Sequence, residues 1–439
     1  MSIVNLQKYI PRIRSLDLYD FIGKVTKVVG LTIEVSGIKP SVGELCFIEV
    51  TGKEKKLLAE VVGFKEKSSL LMPLGEIGGI YPGCKVYASG QTHTINVGPE
   101  LLGKVMDSTG RFLEEDDIAL SGGNYPIENE PPNPLKRKPI EEILETGVKV
   151  IDGLLTCGVG QRMGIFAGSG VGKSTLLGMI ARNSSADVNV IGLIGERGRE
   201  VLEFIRNDLG QEGIARSVVI VSTSDEPALL RVKGALVATA VAEYFRDSGK
   251  NVLLMMDSVT RFAMAQREIG LAIGEPPTTR GYTPSVFAML PRLLERAGNS
   301  DKGTITGLYT VLVDGDDMNE PVADAVRGIL DGHIVLSRDL ASQNHFPAID
   351  VLQSVSRLMS SITDKEQQEL ASKLRNHLAV YKRNEDLINI GAYSLGSNPQ
   401  VDAAIKIQPI ITEFLKQMMN EKYTYEDMLA NFHNVMRNE

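Results

Sequence analysis

Tryptophan is absent from this 439-residue chain, and aromatic residues make up only 5% of it. The amino-terminal part holds too few aromatics to form the stacking platforms that grip single-stranded nucleic acid. Cysteine is scarce as well: Cys46, Cys84 and Cys157 are far apart and form no C-x-x-C pair. That excludes a disulfide framework and a structural zinc site, fits a reducing cytosol, and leaves the three thiols as small buried apolar residues. Positive charge is in deficit, with 47 Lys and Arg against 55 Asp and Glu and a formal net charge of −8. Nucleic-acid affinity comes mainly from neutralising phosphates, so no nucleic-acid partner is expected, although local basic patches stay open. No apolar run reaches the roughly 18 residues of a membrane span. The start, MSIVNLQKYIPRIRS, has no continuous apolar core for a signal peptide, so neither secretion nor membrane spanning is expected.

What the chain does have is 43% hydrophobic and 23% charged residues, a globular balance with length for two or three domains. Its organising stretch is Arg162 to Thr175, RMGIFAGSGVGKST, an apolar run that breaks into glycines and then into Lys173, Ser174 and Thr175. Read as strand, loop and helix start, this is a phosphate cradle. Gly168, Gly170 and Gly172 let the backbone turn with N–H groups pointing inward, at the positive end of the next helix. Lys173 then reaches the outer phosphates, and the Ser174 hydroxyl sits on Mg²⁺. The first position of the strict pattern holds Ala167 in place of Gly. That position ends the strand, where a small residue suffices.

Along the chain, Ile3, Leu6, Ile10 and Ile13 fall at roughly helical spacing, interrupted by Pro11. This segment is either a docking helix for a partner or an anionic lipid surface, or a frayed terminus lying on its own domain. From Asp20 to about Gly90 the period becomes two, as in Leu31, Ile33 and Val35, with short apolar runs between turn-like segments. Closely spaced strands of this kind suggest a small β-barrel, with Phe21, Phe47 and Phe64 facing inward. The proline-rich ENEPPNPLKRKP (128–139) is an extended connector. After it, strands (188–195, 218–222, 252–257, 304–313) alternate with helical stretches such as 227–247, which implies a doubly wound, mostly parallel sheet with its ligand at the carboxyl ends of the strands. Beyond Ile362 helical spacing returns, and Thr363 with Glu366 reads as a capping box.

Two carboxylates follow apolar strands. Asp257 suits Mg²⁺ held through its water shell. Glu196, in LIGERGRE, either polarises an attacking water or is a charged surface turn. Arg197 beside it would face the phosphates.

Together AGSGVGKST (167–175), GERGRE (195–200), MMDSVTRFAMAQRE (255–268) and SVSR (354–357) resemble the catalytic subunits of the F-, V- and A-type rotary ATPases and their protein-export relatives. Residues 148–182, 257–287 and 381–393 are most similar to the flagellar type III export ATPases, and the likeness spans nearly the whole chain. The resemblance implies an α/β fold: a RecA-like P-loop core (91–362), an amino-terminal segment and β-barrel (1–90), and a carboxy-terminal helical domain (363–439). It implies ATP and Mg²⁺ as ligands. Gly168, Ser169, Gly170, Val171, Gly172, Lys173, Ser174 and Thr175 match the nucleotide loop, Ser174 and Asp257 the metal residues, and Glu196 the water-activating glutamate. Arg357 matches an arginine finger acting on the neighbouring subunit's nucleotide, so the chain forms a homohexameric ring. Phe346 matches the aromatic that stacks on adenine, with a buried core aromatic as the other reading; the family's second adenine-contacting aromatic has no clear match, and Tyr393 is offered in its place without a motif behind it. The loop 269–285 either grips a stalk or an exported chain in the ring's channel, or is plain structure. The implied partners are an export regulator protein, a central stalk protein, a membrane export gate, and exported flagellar proteins with their chaperones. The implied place is the cytoplasm, peripheral to the inner membrane. Virulence-type secretion, a rotary synthase subunit, an RNA translocase and a non-catalytic nucleotide-binding subunit are the competing functions.

Overall fold

The computed structural model describes residues 22–50, 52, 56–114, 118–313, 315 and 317–437, so the segment 3–16 and Phe21 lie outside the described residues. The chain divides into two compact units, the first running to His93 and also taking in Leu271–Glu275. That first unit is a closed barrel of β1 (Ile22–Val29), β2 (Thr32–Ser36), β3 (Glu44–Ile48), β4 (Leu57–Lys65), β5 (Ser68–Pro73) and β6 (Lys85–Thr92), in the order β1-β2-β5-β4-β3-β6. Pairing of β1 with β6 closes it and leaves no free edge. Alternate residues fill its interior, among them Val25, Ile33, Val35, Cys46, Ile48, Val61 and Val86. The two phenylalanines expected inside are outside: Phe47 is 40% and Phe64 56% exposed. Phe47 lies between inward-facing Cys46 and Ile48, so the strand's period of two turns it outward. Phe64 follows a register shift between Val61 and Gly63, and a slip of one residue moves a side chain to the other face.

The second unit is built on a sheet of β7 (Val105–Asp107), β8 (Arg162–Ala167), β9 (Val188–Glu196), β10 (Ser217–Thr223), β11 (Asn251–Asp257), β12 (Thr304–Leu312), β13 (Gly332–Leu336) and β14 (Ile349–Ser356). Its order is β14-β13-β8-β12-β11-β9-β10-β7, and a two-residue strand, Gly298–Asn299, pairs antiparallel beside β12. Every pair along the main path is parallel except β13 with β14. Helices cover both faces of such a sheet, so its inner strands read as continuous apolar runs; eight of the nine residues of β9 are buried. The helices used below are α1 (Lys149–Leu154), α2 (Lys173–Asn183), α3 (Ala228–Asp247), α4 (Val259–Ile273), α5 (Lys365–Asn389), α6 (Pro399–Leu415) and α7 (Tyr425–Met436).

The last three helices share one core with the sheet. Leu374, Ile407, Ile411, Phe414 and Phe432 belong to the same buried cluster as Ile165, Leu176 and Met255. Phe414 and Phe432 stack at 5.1 Å between centroids. The cap of α5 is one residue later than the pattern suggested: Asp364 accepts from the Gln367 N–H at 2.8 Å, while the Thr363 hydroxyl donates back to Met359. A carboxylate competes well for that role. A capping box does occur, at Thr424 with Asp427 on α7.

The connector is tied to α3 by charge. Arg296 donates to both Glu243 oxygens, at 2.8 and 2.7 Å, and to the Ile127 carbonyl at 2.8 Å. Asn129 adds a bond to Glu243 at 2.8 Å. Both charged side chains are at most 3% exposed, so each is tolerable in the interior only because of the other. Glu243→Ala should therefore lower unfolding stability by about 3–5 kcal/mol in urea denaturation, and the double change Glu243→Ala with Arg296→Met should recover most of the loss.

Candidate active site

Three strands deliver the charged residues, and all end on the same edge of the sheet. β8 stops at Ala167, turns through residues 168–172 and restarts as α2. Gly170 (φ 77°) and Gly172 (φ 85°) occupy the left-handed region that glycine adopts without a steric penalty. Gly168 has another reason to lack a side chain: a Cβ there would lie 2.7 Å from the Arg338 guanidinium packed against the loop. Gly172 caps α2 without a side-chain bond, so the helix opens with backbone donors unspent, the arrangement that receives an anion. Val171 is buried and anchors the loop, Ser169 and Gly170 are exposed, Ser174 is exposed on the first turn, and Thr175 bonds Asp208.

The Lys173 ammonium pairs directly with Asp257 Oδ1 at the end of β11 and stands 3.7 Å from Glu196 Oε1 at the end of β9. The Thr310 hydroxyl donates to Asp257 Oδ1 at 2.7 Å. All three charged side chains are at most 15% exposed. Burial opposes the Lys173 charge, but Asp257 and Glu196 outweigh it and hold the ammonium above its ordinary range. Glu196 is pushed up to about 7, first by burial and then by the charge of Asp257, with Lys173 pulling the other way. Two carboxylates and one ammonium leave a net negative charge that a divalent cation would balance.

Beside the loop opens a cavity of about 720 Å³, lined by Gly172, Thr175, Met179, Phe346, Met418 and Tyr423 among others. Phe346 is 40% exposed, which removes the core-aromatic reading, and it packs against Gly172, where an added Cβ would meet its ring at 3.3 Å. Tyr423, with Lys149 Nζ 4.5 Å from its ring centroid, is the second aromatic at this cavity. Tyr393 is elsewhere, its hydroxyl 2.8 Å from Asp402 between α5 and α6. Burial pulls the Lys149 ammonium down, against Glu421 and Glu413.

Two expected residues stay outside this cluster. The Arg197 side chain is 79% exposed and pairs with Glu200 at 3.1 Å. Arg357 is exposed at the far end of β14, bonded to the Arg327 carbonyl at 3.3 Å. Since β14 runs antiparallel to β13, with Ser356 opposite Gly332 and Ile349 opposite Leu336, Arg357 sits where the parallel strands begin. Sequence reading missed Thr310, Arg338, Lys149 and Tyr423. Thr310 is one of three threonines in its strand, with nothing to single it out, and the others are brought to the site only by the fold.

The chain matches three family models: the nucleotide-binding domain of the ATP synthase alpha/beta family over residues 147–356, that family's beta-barrel domain over 25–90, and the T3SS EscN ATPase C-terminal domain over 363–434. It is 57% identical over 436 residues to a flagellum-specific ATP synthase of Bacillus subtilis, covering 99% of each chain. The assembled ATPase EscN of the enteropathogenic E. coli type III secretion system superposes with a TM-score of 0.89 at 47% identity, covering 94% of this chain and 99% of that one. EscN in complex with its central stalk EscO gives 0.86 at the same identity and the same coverage.

The charge cluster sets the direction of one titration. Asp257→Asn removes a like charge from Glu196 and frees Lys173 to pair with it, and both effects favour the carboxylate. The Glu196 carboxyl, followed by ¹³C NMR, should titrate near 7 in the native chain and move down toward the ordinary glutamate range in the variant.

Proposed function

The chain belongs to the family of flagellum-specific ATP synthases and type III secretion ATPases, and from that we propose that it hydrolyses Mg-ATP to energise flagellar protein export as a homohexameric ring. The observation that carries this reading is the buried meeting of Lys173, Glu196 and Asp257 beside a glycine loop with unspent helix donors. In it the loop 168–175 holds the phosphates, and Lys173 turns from the carboxylates to the terminal phosphate. Ser174, with Asp257 acting through water, would hold Mg²⁺, which neutralises phosphate charge when bound. Glu196 takes the proton of the attacking water, and a base near 7 is matched to that task. Phe346 stacks on the base.

The placement of Arg357 supports a site completed by a second copy. The length of β8 alone, five steps of about 3.3 Å, keeps it roughly 16 Å from the phosphate loop of its own chain. One surface then serves the next copy's nucleotide, a head-to-tail contact that closes into a ring. Arg197 joins the phosphates only by swinging in from solvent. A central stalk fits a ring whose relative EscN has been solved with EscO. An export regulator, a membrane gate, and exported proteins with their chaperones complete the partners we propose, at the cytoplasmic face of the inner membrane. Among the described residues no helix is long and apolar enough to cross a membrane. Identity of 57% to a flagellar relative favours flagellar over virulence-type export.

Two measurements test this. kcat/KM for Mg-ATP should rise with pH through about 7 as Glu196 ionises and then level off, and Glu196→Gln should be flat with pH and slower by roughly 10² to 10⁴. Arg357→Ala should cut turnover by about 10³ with ATP binding retained. Mixing it with Glu196→Gln protein should restore part of the activity, because some interfaces then hold both intact residues. Absence of recovery in a confirmed mixed ring rules out the shared site.

A further inference from the structure

The base side of the cavity is assembled from segments far apart in the chain, and one buried side chain joins them. Gln417 is 5% exposed and sits in the strap 416–423 that links α6 to α7. Its Oε1 accepts from the Lys149 N–H at 2.9 Å. Its Nε2 donates to the Gly147 carbonyl at 2.8 Å and to the Glu421 carbonyl at 3.1 Å. Its backbone N–H donates to the Phe346 carbonyl at 2.9 Å. The side-chain amide and its own N–H thus fasten the start of α1, the Phe346 loop and the strap, and Lys149, Phe346, Met418, Met419, Glu421 and Tyr423 from those segments all line the cavity. A second fastening comes from the phosphate helix: Arg182, in the last turn of α2, donates to the Met419 carbonyl at 2.7 Å.

We propose that Gln417 is the positioning residue of the base subsite: it touches no phosphate-holding group and sets nucleotide affinity by holding Phe346 and the strap in register with Lys149. This rests on the reading of the cavity as the place where the nucleotide base binds. The local chemistry explains why an amide is needed. Only a group with an acceptor and two donors can bond one N–H and two carbonyls at once, and an apolar residue would leave the Lys149 N–H and the Gly147 carbonyl buried without that partner. The phosphate loop takes its turn from its own glycines, and the Gln417 amide makes no bond to it. Loss of Gln417 should therefore weaken what the base contributes to binding and spare what the phosphates contribute.

The test compares full-length native protein, Gln417→Leu and Gln417→Glu in steady-state hydrolysis of Mg-ATP, with tripolyphosphate, which has no base, as a competitive inhibitor. Gln417→Glu keeps the size and the acceptor but turns an oxygen toward the Gly147 and Glu421 carbonyls. In both variants KM for ATP should rise by about tenfold or more, kcat should fall by less than about threefold, and the tripolyphosphate inhibition constant should stay within about twofold of native. An unchanged KM overturns the proposal, as does an inhibition constant that rises in step with KM, since that marks a general loosening. Should Gln417→Leu not fold, Gln417→Glu alone carries the test, and an unchanged KM in it overturns the proposal. A native chain that does not hydrolyse Mg-ATP overturns the reading of the site, whereas a hydrolysing native chain with variants of unaltered KM overturns the role of Gln417 alone.

Discussion

The structure depends on one ammonium held between two carboxylates. Lys173 starts a helix, Asp257 and Glu196 end neighbouring strands, and all three are nearly buried. Such a trio is stable only if each member is delivered at the right height, since a buried charge without its partner costs several kcal/mol. The parallel sheet supplies that height. Register places Leu193 beside Asp257 and Met256 beside Tyr309, so the ends of β9, β11 and β12 form one rim, and the Thr310 hydroxyl fixes the orientation of the Asp257 carboxylate. The same arrangement raises the proton affinity of Glu196, first because it is buried and then because Asp257 stands beside it, with Lys173 pulling the other way.

The sheet also separates two functions by its two edges. The edge where parallel strands end carries the phosphate loop and the acids, and the edge where they begin carries Arg357, because β14 is the one strand of the main path that runs backwards. A chain that holds an acid cluster on one edge and an exposed guanidinium on the other has the two halves of an interface without being able to join them itself. In the proposed ring, a head-to-tail repeat would bring the two halves together at each contact.

The phosphate side of the site is legible in the sequence because it is local. Gly170, Gly172, Lys173 and Ser174 are consecutive or nearly so, and their roles follow from backbone geometry. Asp257 and Glu196 are legible because each closes an apolar run. Gly168 is not among the positive-φ glycines of the loop, and what a side chain there would meet is the Arg338 guanidinium from a distant helix. Phe47 and Phe64 face outward against expectation because the strand's period of two and a register shift outweigh apolar identity. The cap at Asp364 in place of Thr363 is a one-residue displacement of the kind that two adjacent capping residues invite. Tyr423 cannot be found by pattern, since nothing in KYTYEDM says which tyrosine faces the phosphate loop.

That contrast between a local and an assembled half has a mechanical consequence. The phosphate loop is connected to α2, and α2 through Arg182 is bonded to the strap. The strap is bonded through Gln417 to the residues ahead of α1 and to the Phe346 loop. Phe414 at the end of α6 stacks on Phe432 of α7, inside the same core as Leu176 of α2. The base-side wall is thus linked to α2 by the Arg182 bond to Met419 and by the core that the last helices share with α2. Parting the strap from that wall means breaking the buried Gln417 bonds to Lys149 and Gly147. Under the proposed function, a nucleotide bridging the two halves would add its own contacts between them, and its binding and the seating of α6 and α7 would then stabilise each other.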